Sequence, residues 1–379
     1  MTTTLLDDAG IAERVFHHIA NGTTDMCDEV WREPVANYRM KERLEREIRH
    51  VLRRSPAPFC PSAALPEAGS YVARPAAGTP IVAVRGRDGT VRAFRNVCRH
   101  RGMEVVSGSG CAKVFVCGYH GWAYGLEGRL QHVPHEHGFP GLDKESHGLV
   151  PVAAVERHGL VFVNQEGDDK SALADIPALI AADQKLLWVN ERETEANWKI
   201  VLEGFIEGYH IKATHPETFY PYGFDNLNVV ETFGRNSRVI YPFRRIEKLK
   251  SVPPAERNLT GYVTYVYQLF PNALIVILSD HTSLIVLEPV AIDRTRVFTY
   301  TLSHRGAGAS EEALGKAKRD ADFVANTGSV EDRAVVCAIQ RGLSSGANEW
   351  FTFGRFEPAI VHFHQTLDAA LQQAEREVS

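Results

Sequence analysis

Between Cys98 and His120 the chain reads CRHRGMEVVSGSGCAKVFVCGYH, and this stretch constrains the fold more than any other. It holds two mixed pairs, Cys98-x-His100 and Cys117-x-x-His120, with sixteen residues between them. Each pair sets one thiolate and one imidazole on a tight loop. Two such loops must lie side by side to grip a small metal centre, and both ligand types suit zinc or an iron–sulfur cluster.

Zinc held by two Cys and two His is one reading of the four ligands. A zinc finger follows its Cys pair with a His pair on a helix, whereas here each pair is mixed. The second pair runs into Tyr119-His120-Gly121-Trp122-Ala123-Tyr124, an aromatic and glycine wrap suited to shielding a cluster, and the first runs into His100-Arg101-Gly102. These details favour a [2Fe–2S] cluster with Cys98 and Cys117 on one iron and His100 and His120 on the other. The layout resembles the Rieske centre. Gly118 stands where that family usually has Pro, but it is not a ligand.

Around the pairs the chain is β-rich. Ile81 to Val84 and Val91 to Phe94 flank Arg87-Asp88-Gly89, a hairpin signal, and strands are expected at Leu149 to Val155 and Leu160 to Asn164. Residues 10 to 53 have helical periodicity, with Ile11, Val15, Phe16 and Ile19 on one face. Pro56, Pro58 and Pro61 mark a boundary, and polar residues from Gln165 to Leu173 make a linker. The expected division is N-terminal helices over 1–54, a small metal-bearing β domain over 55–165 and a second domain over 166–379. In the second domain a helix from Asn197 to Thr214 precedes strands at Val229 to Thr232, Ser237 to Phe243, Gly261 to Gln268, Leu274 to Leu278, Leu284 to Val290 and Arg296 to Ser303. Helices at Glu311 to Asn326, Ser329 to Gly342 and from about Glu357 close the chain. The fold class is α+β, an antiparallel sheet wrapped by helices beside the small all-β domain.

The segment WKIVLEGFIEGYHIKATHP carries a second candidate site. As a continuous helix it puts Glu203, Glu207 and His210 on one stripe at i, i+4 and i+7. Pro216 disfavours helical geometry at His215, so that side chain can swing back toward His210. Two such histidines with one carboxylate form a triad that leaves iron(II) positions open for oxygen. A solvated helix face is the alternative. Asp320, Asp322, Glu331 and Asp332 are the candidates for the carboxylate. Ser329-Val330-Glu331-Asp332 also looks like a capping box, in which the acid merely caps a helix.

With both motifs on one chain, nearly its whole length resembles the catalytic α subunit of a Rieske non-haem iron oxygenase. The resemblance implies that His210, His215 and Asp332 hold a mononuclear Fe(II). It implies that Glu207, where most members have Asp, bridges the two metal centres between neighbouring subunits. It also implies a homotrimer and a separate flavin reductase or ferredoxin as electron donor. The Glu at position 207 is reminiscent of the branch that includes quaternary-amine monooxygenases and chloroacetanilide herbicide N-dealkylases. Within it, the presumed pocket lining Phe219 to Phe224 contains no Lys or Arg, while Arg244, Arg245 and Lys248 lie in a run that looks like surface. A carboxylated amine would need a buried cation, so the expected substrate is a neutral N-alkyl amide, oxidised beside nitrogen and dealkylated. Carnitine- or betaine-like amines, and arenes converted to diols, are the alternatives. A Rieske electron carrier without catalysis would have no use for His210, His215 and Asp332.

A net charge of −5 argues against a general nucleic-acid binder. The acidic start MTTTLLDDAG is unlike a signal peptide, and the apolar stretch Leu274 to Ile292 is broken by Ser279-Asp280-His281, so a cytoplasmic protein is expected. Of six cysteines, two belong to the cluster pairs and the rest are scattered, which makes no disulfide framework, and Cys111 is a spare loop thiol. His132, His135 and His137 are expected at the surface. Phe219, Tyr220, Tyr222 and Phe224 are expected to pack, with partial lining of the pocket.

Overall fold

Short alternating segments that turn on glycine form antiparallel sheet wherever one face can be covered. From Ala57 to Asn164 they do so in a computed structural model that describes residues 4–167, 173–306 and 310–378. The first sheet has seven strands, in spatial order Ala57–Pro61, Leu160–Asn164, Pro151–Arg157, Val91–Arg95, Thr79–Arg85, Ser70–Ala76 and Gly108–Cys111. Three short strands, Phe115–Val116, Ala123–Tyr124 and Leu130–His132, form a second small sheet beside it. A core of Val82, Val84, Phe115, Trp122 and Tyr124 joins the two and includes Cys98 and Cys117. Residues 168–172 of the expected linker lie outside the described residues.

The second large sheet is a seven-stranded antiparallel meander with one added edge strand. Its order is Leu186–Thr194, Arg294–Ser303, His281–Ala291, Ala273–Ile277, Val263–Leu269, Asn236–Pro242 and Val229–Phe233. Six of these strands are the expected ones. The edge strand Leu186–Thr194 was not expected, because LLWVNERET is mostly polar and lacks a buried face. Helices Glu311–Asn326, Gly328–Leu343 and Pro358–Val378 cover the sheet. Among the described residues no helix is long and apolar enough to cross a membrane.

One continuous core joins the two large sheets, with Phe59, Ile81 and Phe162 packed with Ile275, Leu284 and Phe298. Each such side chain contributes about 1.5–3 kcal/mol on burial. A polar latch adds to this contact. The buried Glu288 accepts hydrogen bonds from the Ala77 and Gly78 amides at 2.9 and 2.7 Å.

The N-terminal 50 residues are not all helix. Asp8–Asn21 ends at Gly22, whose left-handed backbone and N–H to the His18 carbonyl close it. Trp31–Pro34 is a strand paired with Trp350–Phe353, and helical turns resume from Ala36 to Leu52. These turns anchor the site. Fully buried Glu47 accepts from Lys199 Nζ at 2.8 and 2.9 Å, Trp198 Nε1 at 3.0 Å and Arg43 Nε at 2.8 Å. Burial works to raise the Glu47 carboxyl, but Lys199 and Arg43 outweigh it and hold it low. Removing one partner from a buried pair costs about 3–5 kcal/mol, so this cluster fixes the start of the segment that follows Trp198.

Candidate metal centres

The two Cys/His loops have the same closure. Cys98 N–H bonds the Met103 carbonyl and Gly102 N–H bonds the Cys98 carbonyl; Cys117 N–H bonds the Trp122 carbonyl and Gly121 N–H bonds the Cys117 carbonyl. All four bonds span 2.8 to 3.0 Å. Gly102 and Gly121 have φ of +80° and +74°, a region costly for side-chain-bearing residues, so each turn needs its glycine. The loops bury both cysteines and leave His120 exposed and His100 half-buried.

His100 and His120 face one another through their Nδ1 atoms at 3.1 Å. His100 stacks on Trp122 at 5.0 Å, with Phe139 edge-on at 5.7 Å. Burial and the neighbouring His120 hold His100 below the ordinary imidazole range, which favours the neutral, ligating form. Tyr124 lies 3.2 Å from Cys98 Sγ through its hydroxyl, which also accepts from the Arg99 amide at 3.0 Å. The converging soft and imidazole donors fit a [2Fe–2S] cluster. Cys111 does not join them; it is exposed, with Sγ 3.7 Å from the Ala68 carbonyl. His132, His135 and His137 are exposed, as expected.

The second site departs from the expected continuous helix. Trp198–Glu203 and Ile211–Thr214 are separate helical turns, and Gly204 to His210 form an irregular bend. Glu203 therefore does not share a stripe with Glu207 and His210. Its carboxylate turns away, accepting from the Tyr38 hydroxyl at 2.7 Å and meeting His364 Nε2 at 2.9 Å. Glu207 stays at the site, bonded to His210 Nδ1 and to the Tyr209 and His210 amides. These amides reward a bend that a helix would not allow.

His215 ends the second turn with φ −119° and ψ 45°, outside helical geometry, as Pro216 requires. Its side chain returns to His210, with ring centroids 5.2 Å apart. One ligand atom each from His210, His215 and Asp332 lie within 4.8 Å of one another. His215 Nε2 is 2.8 Å from Asp332 Oδ1, yet this buried nitrogen has no aligned hydrogen-bond partner. Two acceptor atoms aimed at a shared point are what a metal site requires. His210 Nε2 is 3.6 Å from the same oxygen.

The far nitrogens of both rings are held by acids. His215 Nδ1 meets Glu331 Oε2 at 2.7 Å, and the Thr218 hydroxyl donates to the same oxygen at 2.7 Å. Glu207 does the same for His210. Such partners fix the tautomer that leaves Nε2 free for a metal. Burial opposes protonation of both histidines, but Glu207 for His210 and Asp332 with Glu331 for His215 outweigh it and raise them. The helix Gly328–Leu343 starts without a side-chain cap, so Asp332 is not spent as a capping group. Asp322 pairs with Lys318 on the surface, and Asp320 binds His281 at 2.8 Å, away from the triad.

A cavity of about 600 Å³ opens over the triad. Phe219, Tyr222, Phe224, Tyr241, Phe243 and Phe323 supply aromatic wall, and Val266, Val276 and Leu278 supply the sheet side. Leu284 to Leu287 are buried in the core. Phe219 lies 4.8 Å from His215, with the rings tilted by 52°, and is pressed against Gly328, where a Cβ would meet the ring at 2.2 Å. Tyr220 lies outside the wall, beneath Arg244 and Lys212.

Arg244 and Arg245 are exposed, as expected, and they also line the cavity, which was not expected. The strand Asn236–Pro242 delivers the run of 3-10 turns Arg244–Ser251 across the cavity mouth. Arg244 lies 5.3 Å over both Tyr220 and Phe224, and Arg245 donates to Ser279 Oγ at 3.1 Å. Among the described residues neither arginine forms an ion pair with an acid. Lys248 is exposed and outside the cavity.

Residues 55–154 match the family described as "Rieske [2Fe-2S] domain", and residues 185–373 match "Ring hydroxylating alpha subunit (catalytic domain)". The oxygenase subunit of carnitine monooxygenase from Escherichia coli (strain K12) is 29% identical over 367 residues, covering 89% of this chain and 93% of that protein. The oxygenase subunit of glycine betaine monooxygenase from Chromohalobacter salexigens is 36% identical over 162 residues, 40% of this chain and 36% of that protein. The fold is shared with the quaternary ammonium Rieske monooxygenase CntA solved with L-carnitine, at a TM-score of 0.73 and 24% identity, over 97% of this chain and 99% of that one. With each large sheet matched to its own half of one architecture, the chain belongs to the Rieske non-haem iron oxygenases, combining a [2Fe–2S] domain with a mononuclear-iron catalytic domain.

Proposed function

We propose that this chain is the oxygenase component of a system that oxidises a carboxylate-bearing quaternary ammonium compound at the carbon beside nitrogen. One observation carries the reading. The cavity above His210, His215 and Asp332 is walled by aromatic rings and has Arg244 and Arg245 at its mouth without acid partners. Aromatic faces attract a quaternary cation, and free guanidinium groups attract a carboxylate. The relatives that act on carnitine and glycine betaine support the same substrate class.

In this reading Cys98, Cys117, His100 and His120 hold the cluster, and His210, His215 and Asp332 hold the mononuclear iron. The parts of the chain are 1–54, 55–165 and 166–379. Iron bound at the triad supplies oxygen activation, with electrons delivered by the cluster. Glu331 and Thr218 keep His215 Nε2 aimed inward, and Glu207 does so for His210. Phe219, packed on His215, covers one side of the ligand set with apolar ring. One oxygen atom of O2 enters the C–H bond and the other leaves as water. Two electrons come from NAD(P)H through a separate reductase, and two protons come from solvent. The C–N bond of the hydroxylated product then breaks, giving a tertiary amine, an aldehyde and a proton. Three copies in a ring, with Glu207 of one chain beside His120 of the next, complete the electron path; a heterologous contact of this kind closes on itself.

The apolar sheet side, Val266, Val276 and Leu278, favours a second reading, dealkylation of a neutral N-alkyl amide. Iron-loaded enzyme with a surrogate reductase, assayed for aldehyde release against quaternary ammonium acids, uncharged N-alkyl amides and arenes, separates the readings. Turnover of the quaternary ammonium acids is expected. Turnover of the amides alone, or arene diol formation, overturns the proposal.

A further inference from the structure

We infer that Asp320, oriented by the buried His281, is a specificity-determining carboxylate that holds the cationic nitrogen of the substrate. The inference rests on the substrate class proposed above and assigns the residue that selects it.

Asp320 lies on the helix Glu311–Asn326 with Phe323 and Val324, at i, i+3 and i+4, and all three line the cavity. The ring sequence His215, Phe219, Phe323, with centroid steps of 4.8 and 6.2 Å, leads from the triad to this helix face. The Asp320 carboxylate is held from one side only. His281 Nδ1, on a side chain 2% exposed, meets Oδ2 at 2.8 Å, and the Asp280 amide donates to the same oxygen at 3.2 Å. Among the described residues no donor reaches Oδ1. The Asp320 side chain is 23% exposed, so Oδ1 is open to a cation that enters the cavity.

The loop that holds Asp320 also holds a cation. Ser279 Oγ accepts from Arg245, while the next residue, Asp280, carries the amide that holds Asp320, and all four residues line the cavity. A compact zwitterion, with ammonium and carboxylate a few bonds apart, meets its complement there: carboxylate on Arg245, nitrogen on Asp320. Phe219 and Phe323 line the way from there to the triad.

The test is Asp320→Asn in the iron-loaded full chain. The variant keeps the shape and an acceptor for His281 and loses the charge. Choline and its uncharged carbon isostere, in which a quaternary carbon replaces the nitrogen, are titrated by calorimetry into both proteins, and thermal midpoints are recorded. Wild-type protein is expected to prefer choline by about tenfold or more, the scale of one partly screened charge contact. In the variant that preference should fall about tenfold, to what the aromatic faces alone supply, with affinity for the isostere and the thermal midpoint unchanged. Equal weakening of both probes, or a midpoint that falls while the preference persists, makes Asp320 structural and overturns the inference. If the variant does not fold, a wild-type protein that does not distinguish the probes still overturns the inference. Binding needs no turnover. Choline selectivity that depends on Asp320, in a protein that oxidises no quaternary amine, would retain this site and refute the proposed reaction.

Discussion

Replacing Glu331 by Ala leaves His215 Nδ1 without its acceptor and frees the ring to turn. The bond removed is 2.7 Å long and is supported by the Thr218 hydroxyl at the same distance. Losing an acid behind a ligating histidine typically lowers metal affinity about 10- to 100-fold, or about 1.4–2.8 kcal/mol. Asp332→Ala removes a ligand atom outright and is expected to empty the mononuclear site. The side chains of Glu331 and Asp332 are 31% and 33% exposed, so solvation does not separate them; only their direction does. Glu331→Gln keeps an acceptor oxygen and should lose less than the Ala variant. The assay is mononuclear iron retained against a graded chelator series, with the cluster counted separately by its visible absorption. If Glu331→Ala empties the site while Asp332→Ala keeps its iron, the ligand and its support are exchanged and the reasoning fails.

Three further changes test other parts of the account. Arg245→Ala should raise KM at least about tenfold for a quaternary ammonium acid and leave choline unaffected, since only the carboxylate loses its partner; steady-state kinetics on both decide it. Tyr124→Phe removes the hydroxyl beside Cys98 Sγ and should make the cluster's reduction potential more negative, read by redox titration, because hydrogen bonds to sulfur stabilise the reduced state. Burial raises the Glu288 carboxyl above the ordinary 4.5, despite the Gly78 and Ala77 amides. A raised folded value means that stability is fully present below about pH 4.5 and falls as pH rises through the folded value. Glu288→Gln does not titrate, so in urea unfolding its deficit against the wild type should shrink from pH 5 to pH 8.

The ligands were legible because their chemistry is local. Cys98-x-His100 and Cys117-x-x-His120 declare two tight loops, and Pro216 shows that His215 cannot continue a helix. The strands from Val229 to Ser303 were legible from alternation and turn residues. The break at Gly204 to His210 was not, because the apolar spacing of Trp198, Leu202, Phe205 and Ile206 is helical, whereas Glu207 finds backbone amides that only the bent form offers. Tyr124 was read as part of the aromatic wrap, but its bond to Cys98 depends on the pairing of two short strands. Arg244 and Arg245 begin a charged run, RRIEKLK, whose charged members are all exposed; only the fold shows that the sheet carries the first two to the cavity mouth. A carboxylate held at the mouth needs no buried cation, which weakens the ground for preferring a neutral amide. The edge strand Leu186–Thr194 pairs by backbone with Arg294–Ser303 and has almost no buried face to announce it.

The most direct test of the proposed substrate class is an internal competition. Iron-loaded enzyme, a surrogate reductase and limiting NADH are given an equimolar mixture of a trimethylammonium carboxylic acid and a neutral N-alkyl chloroacetanilide. Mass spectrometry follows the tertiary amine, either trimethylamine or the N,N-dimethylamino acid, and the dealkylated amide in the same vessel, so the product ratio equals the ratio of kcat/KM. The account predicts tertiary amine as the dominant product, with one NADH consumed for each cleavage. Dealkylated amide as the dominant product, or tertiary amine release that persists when His210 and His215 are both replaced by Ala, would contradict it.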